Sequence, residues 1–444
     1  MKHWKRFLTL MLALCALLTF AACGGTPEDD PESSNPNPPP ITSDEPEDGK
    51  TNLVVGIISD TSEREMMESV IAAYEAKNPD VNIRIMQIAG NYSQQIVNLA
   101  STGELPDVYM NYDTLVGYLA KSNVSLDLTP YLVDYNISAD DFYPSIWQLG
   151  VIEDKVYMMP REYAHCVVYY NKEILSAAGV DMSIIKNGWT WEQFESVAAQ
   201  LVEKRGTIIS QYGADLQLNW PTTVLSYIYG NGGTLFSEDK QSCTIDDEKT
   251  IAAYQALKTK VDEGVYTNVF NAGTPTFLNG SVGFYFSVRP QANIIDRTFG
   301  EGNWDVVSFP AMSGAEQYVG SGATGYSVSS YSENREAAVD FLMYMMSEEG
   351  MEVVAATGLV IPSRISMNTP DATWRNYPNS SINQDAFVYA PERDMLPLSS
   401  HIADPSQTTK VTDALNLATE SLMINCDASQ FAQFVESITA AMAA

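Results

Sequence analysis

The sequence predicts an α/β protein of two lobes joined by extended crossing segments, and three observations lead there. Leu53-Val54-Val55-Gly56-Ile57-Ile58 is a short apolar run; Met66, Met67, Val70, Ile71 and Tyr74 follow at helical intervals; Val81-Asn82-Ile83-Arg84-Ile85 alternates strictly. Strand, helix and strand within about 35 residues make a βαβ unit, the building block of a layered α/β domain. The same rhythm recurs for some 300 residues, roughly two-thirds of a chain long enough for two or three folded units. Finally, Lys155-Val156-Tyr157-Met158-Met159-Pro160 and the glycine-rich residues 318–325 read as extended. Two such crossings let the chain leave one lobe and return, so that the lobes can hinge around a cleft.

In chain order, the first strand ends before Ser62 and Glu65, whose spacing predicts a capping box opening the first helix, and Asn78-Pro79 stops that helix. Residues 108–110 are expected as a strand and 114–120 as a helix. Val167-Val168-Tyr169-Tyr170 reads as a strand with an aromatic end. Thr190 and Gln193 cap a helix running to about Lys204. Asp246 starts another, which Gly264 closes. Ser332 is expected to cap a helix with Ala338, Phe341, Leu342 and Met345 on one face and Gly350 at its end, and the last 35 residues read as two helices.

Residues 1–22 read as a secretory leader, with Lys2, Lys5 and Arg6 ahead of an apolar stretch too short for the roughly 30 Å bilayer core. Phe20-Ala21-Ala22-Cys23 resembles a bacterial lipobox, which implies lipidation of Cys23. Residues 24–50 carry seven prolines and eight acids with few apolar side chains, so they are expected to be a disordered, acidic tether. Together these describe a body tethered to the outer face of a membrane, by preference that of a Gram-positive cell.

The charge balance, 25 Lys+Arg against 56 Asp+Glu for a net of −31, repels phosphate backbones and excludes sequence-independent nucleic-acid binding. Three histidines, one of them in the leader, rule out multi-histidine metal sites. Cys166, Cys243 and Cys426 fit no metal framework; one disulfide or three buried thiols are both open.

A set of motifs resembles bacterial extracellular solute-binding proteins of family 1, the substrate receptors of ABC importers. Residues 74–83 (Tyr-Glu-Ala-Lys-Asn-Pro-Asp-Val-Asn-Ile) resemble the family's opening helix–strand, and Leu105-Pro106-Asp107-Val108 its following strand entry. Val156-Tyr157-Met158-Met159-Pro160 before Tyr169-Tyr170-Asn171-Lys172 resembles its first crossing. Trp189-Thr190-Trp191-Glu192-Gln193-Phe194, Gly230-Asn231-Gly232-Gly233, residues 277–284 and Glu336-Ala337-Ala338-Val339-Asp340-Phe341-Leu342 match further segments in the family's order. The resemblance implies a type II periplasmic-binding-protein-like fold, a carbohydrate (an oligosaccharide) bound between the lobes, a membrane permease as partner, a monomer, and no cofactor. The lobes would comprise residues 51–160 with 320–367, and 161–319 with 368–444.

Sugar sites need flat aromatic faces for C–H surfaces and polar groups for hydroxyls. Trp220, in the polar loop Leu218-Asn219-Trp220-Pro221, and Trp374, in Asp371-Ala372-Thr373-Trp374-Arg375, are the aromatic candidates. Arg161 and Tyr163 follow the first crossing and should face the cleft. Asp60 stands where loops gather at strand C-termini, with helix start as its other reading. Asp113 resembles a hydroxyl-binding acid of the family, Tyr92 could reach the cleft, and Arg289 bonds either ligand or an acid. His165, beside the hinge, reads as a satisfied structural histidine. Rival readings are the same fold binding a polyamine or peptide, or a secreted glycoside hydrolase using two cleft carboxylates. No G-x-S-x-G, H-E-x-x-H or P-loop pattern supports an enzyme.

Overall fold

The computed structural model describes residues 49–443, so the leader, Cys23 and nearly all of the tether lie outside the described residues. Two five-stranded sheets organise the body. In the first the order is Val81–Ile88, Thr51–Ile58, Val108–Tyr112, Thr324–Val328, Met159–Pro160. The first three strands are parallel and the last two run antiparallel to their neighbours. Leu53, Val55 and Ile57, at alternate positions of the strand Thr51–Ile58, bury one of its faces in the core. The helices Thr61–Glu75, Arg335–Met345 and Glu348–Ala356 complete that core with Met66, Val70, Phe341 and Met351.

The second sheet runs Trp304–Ser308, Val167–Asn171, Val282–Ser287, Ile208–Asp215, Glu203–Arg205. Its core takes Trp189 and Phe194 from the Thr190-capped segment, and Val411, Leu415, Phe431 and Ile438 from the C-terminal helices Thr408–Ile424 and Phe431–Ala443. The two late helices therefore share the hydrophobic core of the second sheet. Cys166, Cys243 and Cys426 are free thiols. Among the described residues no helix is long and apolar enough to cross a membrane.

Between the sheets the crossing segments meet side by side. Tyr326 and Gly325 pair with Met159 and Pro160, His165 bridges Ser321, and Tyr163 and Glu162 pair with Ile361 and Pro362. The third segment, around Ile361–Pro362, was not among the extended stretches seen in the sequence. Gly325 is needed here, because a Cβ would stand 2.3 Å from the Met159 carbonyl oxygen. Gly325→Ala is expected to cost about 1–3 kcal/mol through that overlap, read as a lowered denaturation midpoint; an unchanged midpoint would show that the crossing strands slide apart freely.

Some local expectations give way. Asp60, not Ser62, caps the first helix, accepting from the Ser62 and Glu63 amides. Ser332 instead donates to Asp107, and the helix begins at Arg335. Gly350 lies inside the helix Glu348–Ala356, because Ser347 supplies a fresh N-cap. The Thr190–Gln193 capping box forms in both directions, and Gly264 adopts the left-handed C-cap at φ 76°.

Candidate interlobe binding site

One cavity takes residues from both lobes and from a crossing segment. The first lobe contributes Asp113 and Thr114, at the end of a parallel strand where the helix Asp113–Lys121 starts. Such strand ends are where open α/β sheets gather ligand-binding loops. The second lobe contributes Trp220, Pro221, Thr222 and Leu225, residues 395–398 and Thr412, and the crossing segment contributes Gly320 and Ser321.

Asp113 Oδ1 accepts from the Thr114 amide at 2.8 Å, yet burial dominates and pushes its carboxyl up to about 6. Trp220 is held as the N-cap residue of Pro221–Gly230, where its carbonyl accepts from the Thr223 amide at 3.1 Å and hydroxyl at 2.9 Å. Its indole lies against Gly322, where a Cβ would be 2.8 Å from Cζ2. The cavity holds about 90 Å³, well below the ~300–1,000 Å³ of ordinary small-molecule sites. A ligand of that class does not fit the cavity as it stands. A larger groove on the first lobe is lined by groups that satisfy one another, the Tyr74 and Tyr135 hydroxyls both donating to Asp340.

Asp113 and Trp220 are the two sequence-predicted site residues that the structure brings together. The other six lie elsewhere, each with a structural occupation. Asp60 is the helix cap described above. Tyr92 is buried, donates to the Met110 carbonyl at 2.7 Å and meets Tyr112 edge-to-face. Arg161 is buried between Glu63 at 2.6 Å and Glu162 at 3.0 Å. Tyr163 donates to Asp394 at 2.8 Å and packs on Tyr143. Arg289 is buried, its Nη2 donating to the carbonyls of Trp374 and Tyr377 and its guanidinium 4.9 Å above the Phe387 ring. Trp374 is 0 % exposed and donates to the Met367 carbonyl. For Tyr92, Arg161, Tyr163, Arg289 and Trp374, facing a cleft would expose large apolar or cationic surface that they bury instead. His165 is buried beside Asp394 at 3.0 Å, with the Ala386 carbonyl 3.1 Å from Nε2.

Sequence reasoning missed Thr222, Ser321, residues 395–398 and Thr412. Only Ser321 had a signal, its place in an extended glycine-rich stretch.

Comparison with known proteins fits this architecture. The family model for bacterial extracellular solute-binding proteins matches residues 59–352. An arabinooligosaccharide-binding protein of Halalkalibacterium halodurans is 25% identical over 223 residues, covering 47% of this chain and 48% of that protein. An arabinooligosaccharide-binding protein of Bacillus subtilis is 24% identical over 362 residues, 78% of each chain. An ABC substrate-binding protein from Listeria monocytogenes, solved with cycloalternan, superposes with a TM-score of 0.76 at 20% identity, over 89% of this chain and 99% of that one.

Proposed function

We propose, from the premise that the chain belongs to the bacterial extracellular solute-binding proteins, that it captures an oligosaccharide between its lobes and delivers it to an ABC permease. The observation that carries this reading is the cavity itself, which sets an aromatic plane, Trp220, and a carboxylate, Asp113, among residues from both lobes and a crossing segment. That is the pairing a pyranose or furanose needs: a flat face for its C–H surface and polar groups for its hydroxyls. The relatives' ligands point the same way.

Closure is a hinge motion about the three crossing segments, and the ligand shifts the open–closed balance only by its differential affinity for the two forms. The lobes divide into residues 51–160 with 320–367 and 161–319 with 368–444. Lipidated Cys23 and the acidic tether hold the body, a monomer, at the outer face of the membrane. The chain acts by binding, with no chemical step.

A thermal-shift screen of residues 51–444 against arabino-, malto- and galactooligosaccharides tests this, with polyamines and short peptides as comparison ligands. A ligand at 100 times its Kd adds about 2.7 kcal/mol to the native state, enough to raise the melting temperature by about a degree or more. A shift with a saccharide that is recovered intact after overnight incubation is the expected result. Shifts only with polyamines or peptides would remove the carbohydrate assignment, and new sugar products would replace a receptor by an enzyme.

A further inference from the structure

Two of the hydroxyls lining the interlobe cavity are buried and have no hydrogen-bond partner. Ser321 is 6 % exposed, lines the cavity, and its Oγ has no hydrogen-bond partner. Thr412 lines it from the second lobe, and its buried Oγ1 is likewise unpartnered. Two hydroxyls just outside the lining, by contrast, are bonded: Ser226 donates to the Thr222 carbonyl and Thr409 to the Thr114 carbonyl. A buried hydroxyl without a partner is costly to keep, and a ligand hydroxyl removes that cost. The third polar group is the Asp113 carboxylate, with its Oδ1 on the Thr114 amide. Among the lining residues there is no Lys, Arg or His.

We infer that Ser321 and Thr412 are ligand-reading residues and that, with Asp113, they restrict the cavity to saccharides without an acid group. This rests on the receptor reading and narrows it. A hydroxyl both donates and accepts, so it can complement either orientation of a sugar hydroxyl, and Asp113 takes a further hydroxyl proton. A uronate brought beside Asp113 places two anions together with no cation in the lining to offset them. Because Asp113, Ser321 and Thr412 come from the first lobe, a crossing segment and the second lobe, one sugar bonded to all three also ties the lobes together.

Calorimetric titration at pH 7.5 tests it, using the full chain and its Ser321→Ala, Thr412→Val and Asp113→Asn variants. The probes are arabino- and galactooligosaccharides and, as the charged counterpart, an oligogalacturonide of the same length. The neutral probe that binds the parent should bind at least about 100-fold more tightly than the galacturonide. Ser321→Ala and Thr412→Val should each weaken it by about tenfold, while the unliganded melting temperature stays level or rises, which a purely structural hydroxyl would not allow. Asp113→Asn should narrow the discrimination against the galacturonide. Galacturonide binding on a par with the neutral sugar, or parent-like affinity in both hydroxyl variants, overturns the inference and leaves the receptor reading standing. If no saccharide binds the parent at all, both fall together.

Discussion

Trp220→Ala is expected to lower oligosaccharide affinity by about 30-fold or more while the body still folds. An aromatic ring at the centre of a small desolvated site typically contributes about 2 kcal/mol or more to binding, and each 1.4 kcal/mol is about tenfold in Kd. The cap that Trp220 provides to the helix Pro221–Gly230 is made by its backbone carbonyl, which survives the substitution. The ring is only partly buried against the second-lobe core and rests on Gly322, so the loss to stability should be smaller than the loss to binding. Titration against melting separates the two. Comparable affinity in the variant would move the sugar platform away from this ring, and a collapse of the melting temperature would make Trp220 a packing residue instead. Trp220→Phe, which keeps a flat face, should recover much of the affinity.

The contrast with Trp374 shows where sequence reasoning reaches and where it stops. Both tryptophans occupy polar, irregular stretches, and nothing within a few residues distinguishes them. Trp374 nevertheless is fully buried, because the chain after the third crossing packs its short 3-10 turns, Phe387 among them, against Trp304 and Arg289. Those two partners, Trp304 and Arg289, lie 70 or more residues back along the chain, which no local pattern encodes. The βαβ units were legible for the opposite reason: a strand with a buried face and a helix with an apolar stripe write their periods into consecutive residues. The place of Asp113 at the cavity was legible because it directly follows such a strand. Thr412 was not, and Ser321 only as part of an extended stretch, since a cavity assembled from residues 113, 220, 321 and 412 exists only once the tertiary fold brings them together.

Caps fall between these cases. Thr190 and Gln193 form the expected box, each side chain accepting from the other's amide. Ser62 and Glu65 had the same spacing and lost to Asp60, whose carboxylate reaches two free amides at once and carries the negative charge that a helix N-terminus favours.

Arg161 carries the second large expected effect, on stability rather than binding. Its guanidinium is 2 % exposed and bridges Glu63 and Glu162, while Glu162 also accepts from the Thr324 amide and hydroxyl, fastening the first crossing segment to the second. Arg161→Met leaves two carboxylates buried without their cation, and breaking a buried pair from one side costs about 3–5 kcal/mol. The loss should depend on pH with a definite sign. Burial is the largest influence on Glu63 and raises its pKa above the ordinary carboxyl value; Arg161 opposes the rise, and Glu162 and Asp60 add to it. Removing Arg161 therefore raises the Glu63 pKa further. A carboxyl that binds its proton more tightly folded than unfolded penalises folding above its folded pKa, and the penalty fades as pH falls through it. The variant should thus lie closer to the parent at pH 5 than at pH 8 in urea denaturation. Adding Glu63→Gln and Glu162→Gln should recover most of the loss at pH 8, since no uncompensated charge then remains. An equal deficit at both pH values, unrelieved by those two substitutions, would mean that Arg161 acts through the packing of its aliphatic stem, and that the crossing strands are held by their backbone pairing alone.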